Sequence, residues 1–189
     1  MRPSKRRTIL LIGALALTLA PQLYGYTVLQ MSLNEMTDRA GMIIRGRVIA
    51  ESAGTVAAGG VTFPTVTYRV EVEHVFKGSM PPGKDGVTVV EVTMLGAEKM
   101  GAARVGNLQR LSPVPDLPRF EVGKTYVLLT TQPSSIGLVT TVGLGQGAFG
   151  IFTEEKTEMA VNQLNNQGLF DGPVTYAVLA NEIQSAMAQ

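Results

Sequence analysis

The stretch VTYRVEVEHVFKG at residues 66–78 constrains the fold more than any other part of this chain. Val66, Tyr68, Val70, Val72, His74 and Phe76 fall on one side of an extended backbone, and Thr67, Arg69, Glu71, Glu73 and Val75 on the other. Such sustained period two is the pattern of a strand with one face turned to a core. At about 3.3 Å per residue the run would be roughly 36 Å long, beyond the usual length of strands, so it is expected to bend and serve two parts of a curled sheet. A small barrel needs such a strand.

A partner lies upstream. Residues 42–50, MIIRGRVIA, set Ile44, Gly46 and Val48 against Ile43, Arg45, Arg47 and Ile49. Residues 51–64, ESAGTVAAGGVTFP, carry three glycines and a proline and read as a long hairpin connection. Antiparallel pairing about Gly59 makes partner numbers sum to 118. Arg45 then faces Glu73, Arg47 faces Glu71 and Ile43 faces Val75 on the outer side, while Val48 meets Val70 and Gly46 meets Val72 inside. Opposite charges and like apolar residues coincide, which cross-strand pairing rewards by a few tenths to ~1 kcal/mol each. A slip by one residue would send the arginines into the core.

The remaining elements follow in order. Residues 31–41, MSLNEMTDRAG, predict a short helix with a Ser32/Glu35 capping box, a Met31/Met36 staple and a stop at Gly41. KGSMPPGKDG at 77–86 is a turn-rich link, and VTVVEVTML at 87–95 a third strand. Periodicity then disappears over 96–120, which predicts a long surface excursion with one helical turn around 102–111. TYVLLTT at 125–131 is a fourth strand; GLVTTV at 137–142 and QGAFGIF at 146–152 are two further strand segments flanking a Gly-rich bend. Residues 153–171 read as polar linker. In the last segment Tyr176, Leu179, Ala180, Ile183 and Met187 recur at helical spacing, with Thr175 as N-cap and Val174/Leu179 as staple. The predicted fold is mainly β: a five-stranded, OB-like antiparallel Greek-key barrel over 42–152, a short helix within 26–41, and a linker with a C-terminal helix over 153–189.

The first 25 residues have the layout of an export signal. Arg2, Lys5, Arg6 and Arg7 precede the apolar segment TILLIGALALTLA at 8–20. Residues 1–25 are thus either a cleaved signal peptide or, with apolar character continuing over 8–29, a retained N-terminal anchor. Both place the body outside the cytoplasm, periplasmic or secreted. These four residues are a quarter of the sixteen cations, and the first acid is Glu35, so the rest of the chain sets twelve cations against fifteen anions, a net charge of −3. A weakly acidic body gives no reason to expect nucleic-acid binding. The chain has no Cys, which excludes disulfides, thiolate metal sites and Cys nucleophiles.

The order AGMIIRGRVIA, TYRVEVEHVFKGS, VTVVEV, RFEVGKTYVLL, VTTVGLGQGAFGIF resembles a group of bacterial exported proteins with an OB-like barrel. It is also distantly similar to the netrin-like domain of the tissue inhibitors of metalloproteinases. The resemblance covers roughly 42–152; its most specific pieces are VFKGS at 75–79, FEVGKTYVLL at 120–129 and GQGAFGI at 145–151. In those inhibitors an N-terminal cysteine chelates the protease zinc and disulfides brace the barrel. Without cysteine that mechanism does not transfer, so the resemblance implies a five-stranded barrel and carries over no functional residue.

Side chains with chemical potential have simpler roles. His74 is the sole histidine and lacks a second ligand at metal spacing, which fits a barrel-rim residue. Glu71 and Glu73 face outer arginines, and Glu91 lies on the third strand, so these carboxylates read as solvated sheet residues. GLGQGAFG at 143–150 lies between strand segments with no Lys-Ser/Thr after it, which fits a bend and not a phosphate loop. Ser112, Ser134 and Ser135 have no triad to join. Tyr68, Phe76, Tyr126 and Phe149 fall on core positions, leaving no aromatic platform for oligonucleotides. No catalytic, cofactor-binding or metal-ligating residue is assigned. The expected function is that of a non-enzymatic exported module binding another exported protein or a cell-envelope component through the loop 96–119 and the hairpin tip 57–62, with membrane contact only through a retained leader. The alternatives are a protease inhibitor acting without a chelating cysteine and an enzyme using Glu71, Glu91 or His74.

Overall fold

The structure, a computed structural model, describes residues 29–80, 83, 86–96 and 117–189. The expected leader, four residues of the turn-rich link and the greater part of the excursion after the third strand, including its expected helical turn, lie outside the described residues.

Helix α1 (Leu33–Arg39) opens the described chain, and its start is set by the expected capping box. The Ser32 hydroxyl accepts from the Glu35 amide at 3.3 Å while the Glu35 carboxylate accepts from the Ser32 amide at 2.8 Å. Met31 and Met36 are both buried in one cluster, as a staple requires. There follow β1 (Met42–Ala58), β2 (Val61–Lys77), β3 (Val89–Leu95), β4 (Thr125–Thr130), β5 (Ala148–Glu154), β6 (Thr157–Asn162), β7 (Val174–Thr175) and helix α2 (Tyr176–Met187). The Thr175 hydroxyl caps α2 by accepting from the Val178 amide, again as the sequence predicts.

The strands make one antiparallel sheet in the order β3-β2-β1-β4-β5-β6-β7. Among the described residues nothing pairs β3 with β7, so the sheet is open and has seven strands where a closed five-stranded barrel was expected. Three local events produce the difference. Residues 51–58 and 61–64, expected as a loop, are strand: β1 and β2 are each seventeen residues long and meet at a two-residue turn. Gly59 and Gly60 take φ of +58° and +79°, the left-handed pair that a primed hairpin turn demands. Within the expected polar linker lies β6, which forms a second tight hairpin with β5, the strand expected at 146–152. Its turn residues, Glu155 and Lys156, have φ of +47° and +72° with no glycine to announce them. Conversely, residues 137–142 contribute only an isolated bridge, Thr130 to Thr141, and no strand of their own.

The predicted register holds at the centre of the β1/β2 pair, where Gly46 opposes Val72, Arg47 opposes Glu71 and Val48 opposes Val70. Bulges on either side shift it: Arg45 opposes His74, and from Ala50 to the tip partner numbers sum to 119. The bulges also change which way β2 faces. Val70 and Val72 pack in one hydrophobic cluster but Phe76 packs in the other. The unbroken alternation of residues 66–76 therefore does not map onto a single inner face.

The two clusters occupy opposite faces of the sheet. Ile43, Val127, Leu129, Phe149 and Ala160 bury one face beneath Met36 of α1 and Leu179 and Ile183 of α2. Ile44, Val48, Tyr68, Val70, Val92, Met94 and Leu128 bury the other. There Phe120 wedges between Tyr68 and Tyr126, with ring centroids 4.9 and 5.0 Å away. The Gly-rich bend forms a short 3-10 turn at Leu144–Gly147. Its buried Gln146 accepts from the Met31 amide at 3.0 Å and donates to the Leu29 carbonyl at 3.0 Å, tying the segment before α1 to the sheet. No helix of the described residues is long and apolar enough to cross a membrane.

Gly46 makes the close approach of β1 and β2 possible. A Cβ there would lie 2.6 Å from the Glu71 carbonyl oxygen and 2.6 Å from Val70 Cγ1. Gly46→Ala must therefore spread the central strand pair, and a loss of about 1–3 kcal/mol in unfolding free energy by urea titration is expected. An unchanged midpoint would show that the strands are not so closely apposed.

Candidate functional site

The residues singled out in the sequence do not converge. His74 is exposed, with its ring edge-on to Phe76 at 4.5 Å. Glu91 is exposed on β3 opposite Arg69. Glu71 lies 3.7 Å from Arg47. The Ser134 hydroxyl is occupied as acceptor for the Leu138 amide in a turn. Ser112 lies outside the described residues, and so do residues 97–116 of the loop expected to bind. No group of His, Asp or Glu among the described residues could hold a metal ion.

Glu73 belongs to a larger arrangement. The Arg45 guanidinium donates from Nε to Glu73 at 2.8 Å and grips Glu158 of β6 with two hydrogen bonds, at 2.6 and 2.8 Å. Its Cζ lies 4.3 Å from the ring centroid of Tyr176 at the start of α2. One side chain thus ties β1, β2, β6 and α2 together at the end of the helix-covered cluster. The bonds to Glu158 hold Arg45 firmly protonated, and Arg45 in turn draws the Glu158 carboxyl below its ordinary range. Every partner is an internal one, as in a structural clamp.

A cavity of about 170 Å³ lies between Phe120, Tyr126, Gly150 and Val161. Arg119, Tyr126, Asn162 and Gln163 are its polar lining, and two of these are committed to the surrounding main chain. The Tyr126 hydroxyl accepts from the Glu121 amide, and the Asn162 side chain donates to the Gln146 carbonyl while accepting from the Leu164 and Asn166 amides. Ligand pockets usually span 300–1,000 Å³, so this cleft is small for such a role.

The feature left over is the far half of the β1/β2 hairpin. Strand β4 pairs with β1 only over residues 42–47, and β3 with β2 only over 65–71. Among the described residues, 55–58 and 61–64 continue past both neighbours as a two-stranded arm, while 50–54 continue past β4 only, their partners 65–69 being paired with β3. No charged residue occurs between Glu51 and Arg69. Val61 at the tip is 41% exposed, and Val56 and Phe63 oppose each other, half-buried, on one face.

The two edges of the arm differ. The Pro64 carbonyl points away from β1, since it accepts from the Gly96 amide at 3.0 Å. Pro64 brings no N–H to that edge, which blocks strand addition. Because Thr55 pairs with Pro64, its N–H and C=O also point outward, on the β1 side, and alternation places Ala53 and Ala57 alike. This β1 edge has neither proline nor charge, and Ala53, Thr55 and Ala57 are exposed. Sequence reasoning reached the tip of this hairpin but took its stem for a loop; the Gly59-Gly60 doublet was the available signal for a tight turn with strand on both sides.

Removing the clamp should be measurable. Arg45→Met keeps the apolar stem and leaves Glu158 and Glu73 unpaired; with Glu158 half in solvent, a loss of about 1–2 kcal/mol near pH 7 is expected. A carboxyl whose folded pKa is depressed stabilises the fold above its unfolded value, and that contribution disappears as pH falls through the folded value. The gap between the two proteins in urea unfolding should therefore narrow as pH falls below the ordinary carboxyl value of 4.5. A gap independent of pH would show that the ion pair is not its source.

No protein-family model matches the chain, and no curated protein matches it either.

Proposed function

We propose that this protein is an exported, non-enzymatic interaction module that binds a protein or cell-envelope partner through the β1/β2 arm. The observation that carries the reading is the arm itself: an uncharged ribbon standing clear of the sheet, whose β1 edge has no main-chain partner among the described residues. Backbone groups that lack partners are obligatory hydrogen-bonding groups, and an unguarded strand edge is a template for a further strand. Natural sheets shield such edges with lysine, proline or bulges. Here Pro64 guards only the β2 side, which leaves the β1 side as the recognition edge. Export rests on the cationic and apolar layout of residues 1–25 and on the resemblance to exported OB-like proteins; the finer OB-like relationship rests on those sequence segments alone. Candidate catalytic side chains are dispersed or internally paired, which favours binding over chemistry.

A photo-crosslinking residue at Thr62, near the tip, should give covalent adducts in the cells that produce the protein, whereas the same residue at exposed Glu182 on α2 should give none. Adding Ala57→Lys should reduce the Thr62 adduct about tenfold by placing a charge on the edge, with no change in thermal midpoint. Equal labelling from Thr62 and Glu182, or none from Thr62, would contradict the reading.

A further inference from the structure

We infer that the strand received by the β1 edge is the same edge of a second copy, paired antiparallel about a two-fold axis at Thr55. The inference rests on the proposed role of the arm and names its partner.

Three observations support it. First, an isolated two-stranded ribbon is marginal in water. Among the described residues, 55–58 and 61–64 form such a ribbon, past both β4 and β3. A second arm would convert two ribbons into one four-stranded sheet, in the order β2-β1-β1-β2, and would satisfy the outward N–H and C=O groups of both copies. Second, the outward groups fall on Ala53, Thr55 and Ala57, so a two-fold register must have its centre on or midway between residues of this set. With the centre at Thr55, threonine opposes threonine, a favourable cross-strand pair, and Ala53 opposes Ala57. Third, charge does not oppose this register. Glu51, the one charged residue at the base of the edge, falls opposite Gly59 of the other copy, so the two carboxylates stay at opposite ends of the interface. The side chains along this edge are too small for steric conflict, and Pro64 prevents growth on the outer β2 edges. The assembly therefore closes at two copies instead of extending into a fibre.

The chain has no cysteine of its own, which makes single-cysteine scanning unambiguous. In the purified full-length chain, Thr55→Cys places two thiols directly opposite across a hydrogen-bonded pair about 5.5 Å apart at Cα, within disulfide reach. Ser52→Cys, equally exposed, would sit opposite Ala58 of the other copy and far from its own counterpart. Mild oxidation should thus give at least about tenfold more linked dimer from Thr55→Cys than from Ser52→Cys. Ala53→Cys and Ala57→Cys should each remain monomeric alone and link only when mixed. Equal linking of Thr55→Cys and Ser52→Cys would overturn the inference, as would a Thr55→Cys chain that stays monomeric. In that last case, adducts between Thr62 and a different protein in cells would leave the proposed role of the arm standing, whereas absence of any adduct would remove both.

Discussion

Over residues 43–47, strand β1 is paired on both edges, and its successive side chains Ile43 and Ile44 are buried into opposite faces of the sheet. That double constraint places everything else. Ile43 goes under the helices, Ile44 and Val48 go to the opposite cluster, and β2 and β4 must close on either side. Gly46 is the residue that lets β2 come near enough, and Arg45, next to it, reaches out to fasten β2, β6 and α2. The helices contribute a lid over one face; the other face is filled largely by strand residues and by Phe120 from the segment before β4. Bulges in the β1/β2 pair let a single hairpin serve both clusters, since each bulge turns the following side chains to a new face.

The same strand changes character past Val48. Within the body its main chain is fully engaged and its side chains include two arginines, each with a carboxylate partner. Beyond Glu51 it loses charge, bulk and neighbours together. A strand that merely connected two halves of a sheet would not need residues 52–66 without a single charge, because exposed hairpin stems gain solubility from charged side chains at no structural cost. The absence of such protection, on one edge only among the described residues, is the feature on which the proposed recognition role rests. It also separates two kinds of stability. The body is held by burial and by the Arg45 clamp, while the arm depends on its own ladder and, under the proposed role, on the strand added to it.

The features visible in the sequence were those with local chemistry. Ser32 and Glu35 announced α1, Thr175 announced α2, and the alternating charges of Arg47 and Glu71 set the central register. What escaped was set by distance or by backbone geometry that the residue types do not advertise. Ser-Ala-Gly-Thr-Val-Ala-Ala has neither alternation nor bulk, so its strand character comes only from pairing with β2. Glu155 and Lys156 turn a hairpin in the left-handed region with no glycine or asparagine to signal it. Asn162 and Asn166, seemingly linker polars, are buried and bond each other and the surrounding backbone. Arg45 and Glu158 are 113 residues apart, so no local pattern could join them. The arm, the candidate site, was legible only at its tip.

Amide exchange followed residue by residue tests the central claim that the β1 edge is a recognition edge built for a second copy. The amides of Gly54, Val56 and Ala58 point inward to β2 and report whether the arm is folded. Those of Ala53, Thr55 and Ala57 point outward and can be protected only by an added strand. Protection of the outward set that rises with protein concentration, while the inward set stays protected throughout, is the predicted result. Outward amides that exchange freely at every concentration, beside protected inward ones, would contradict it.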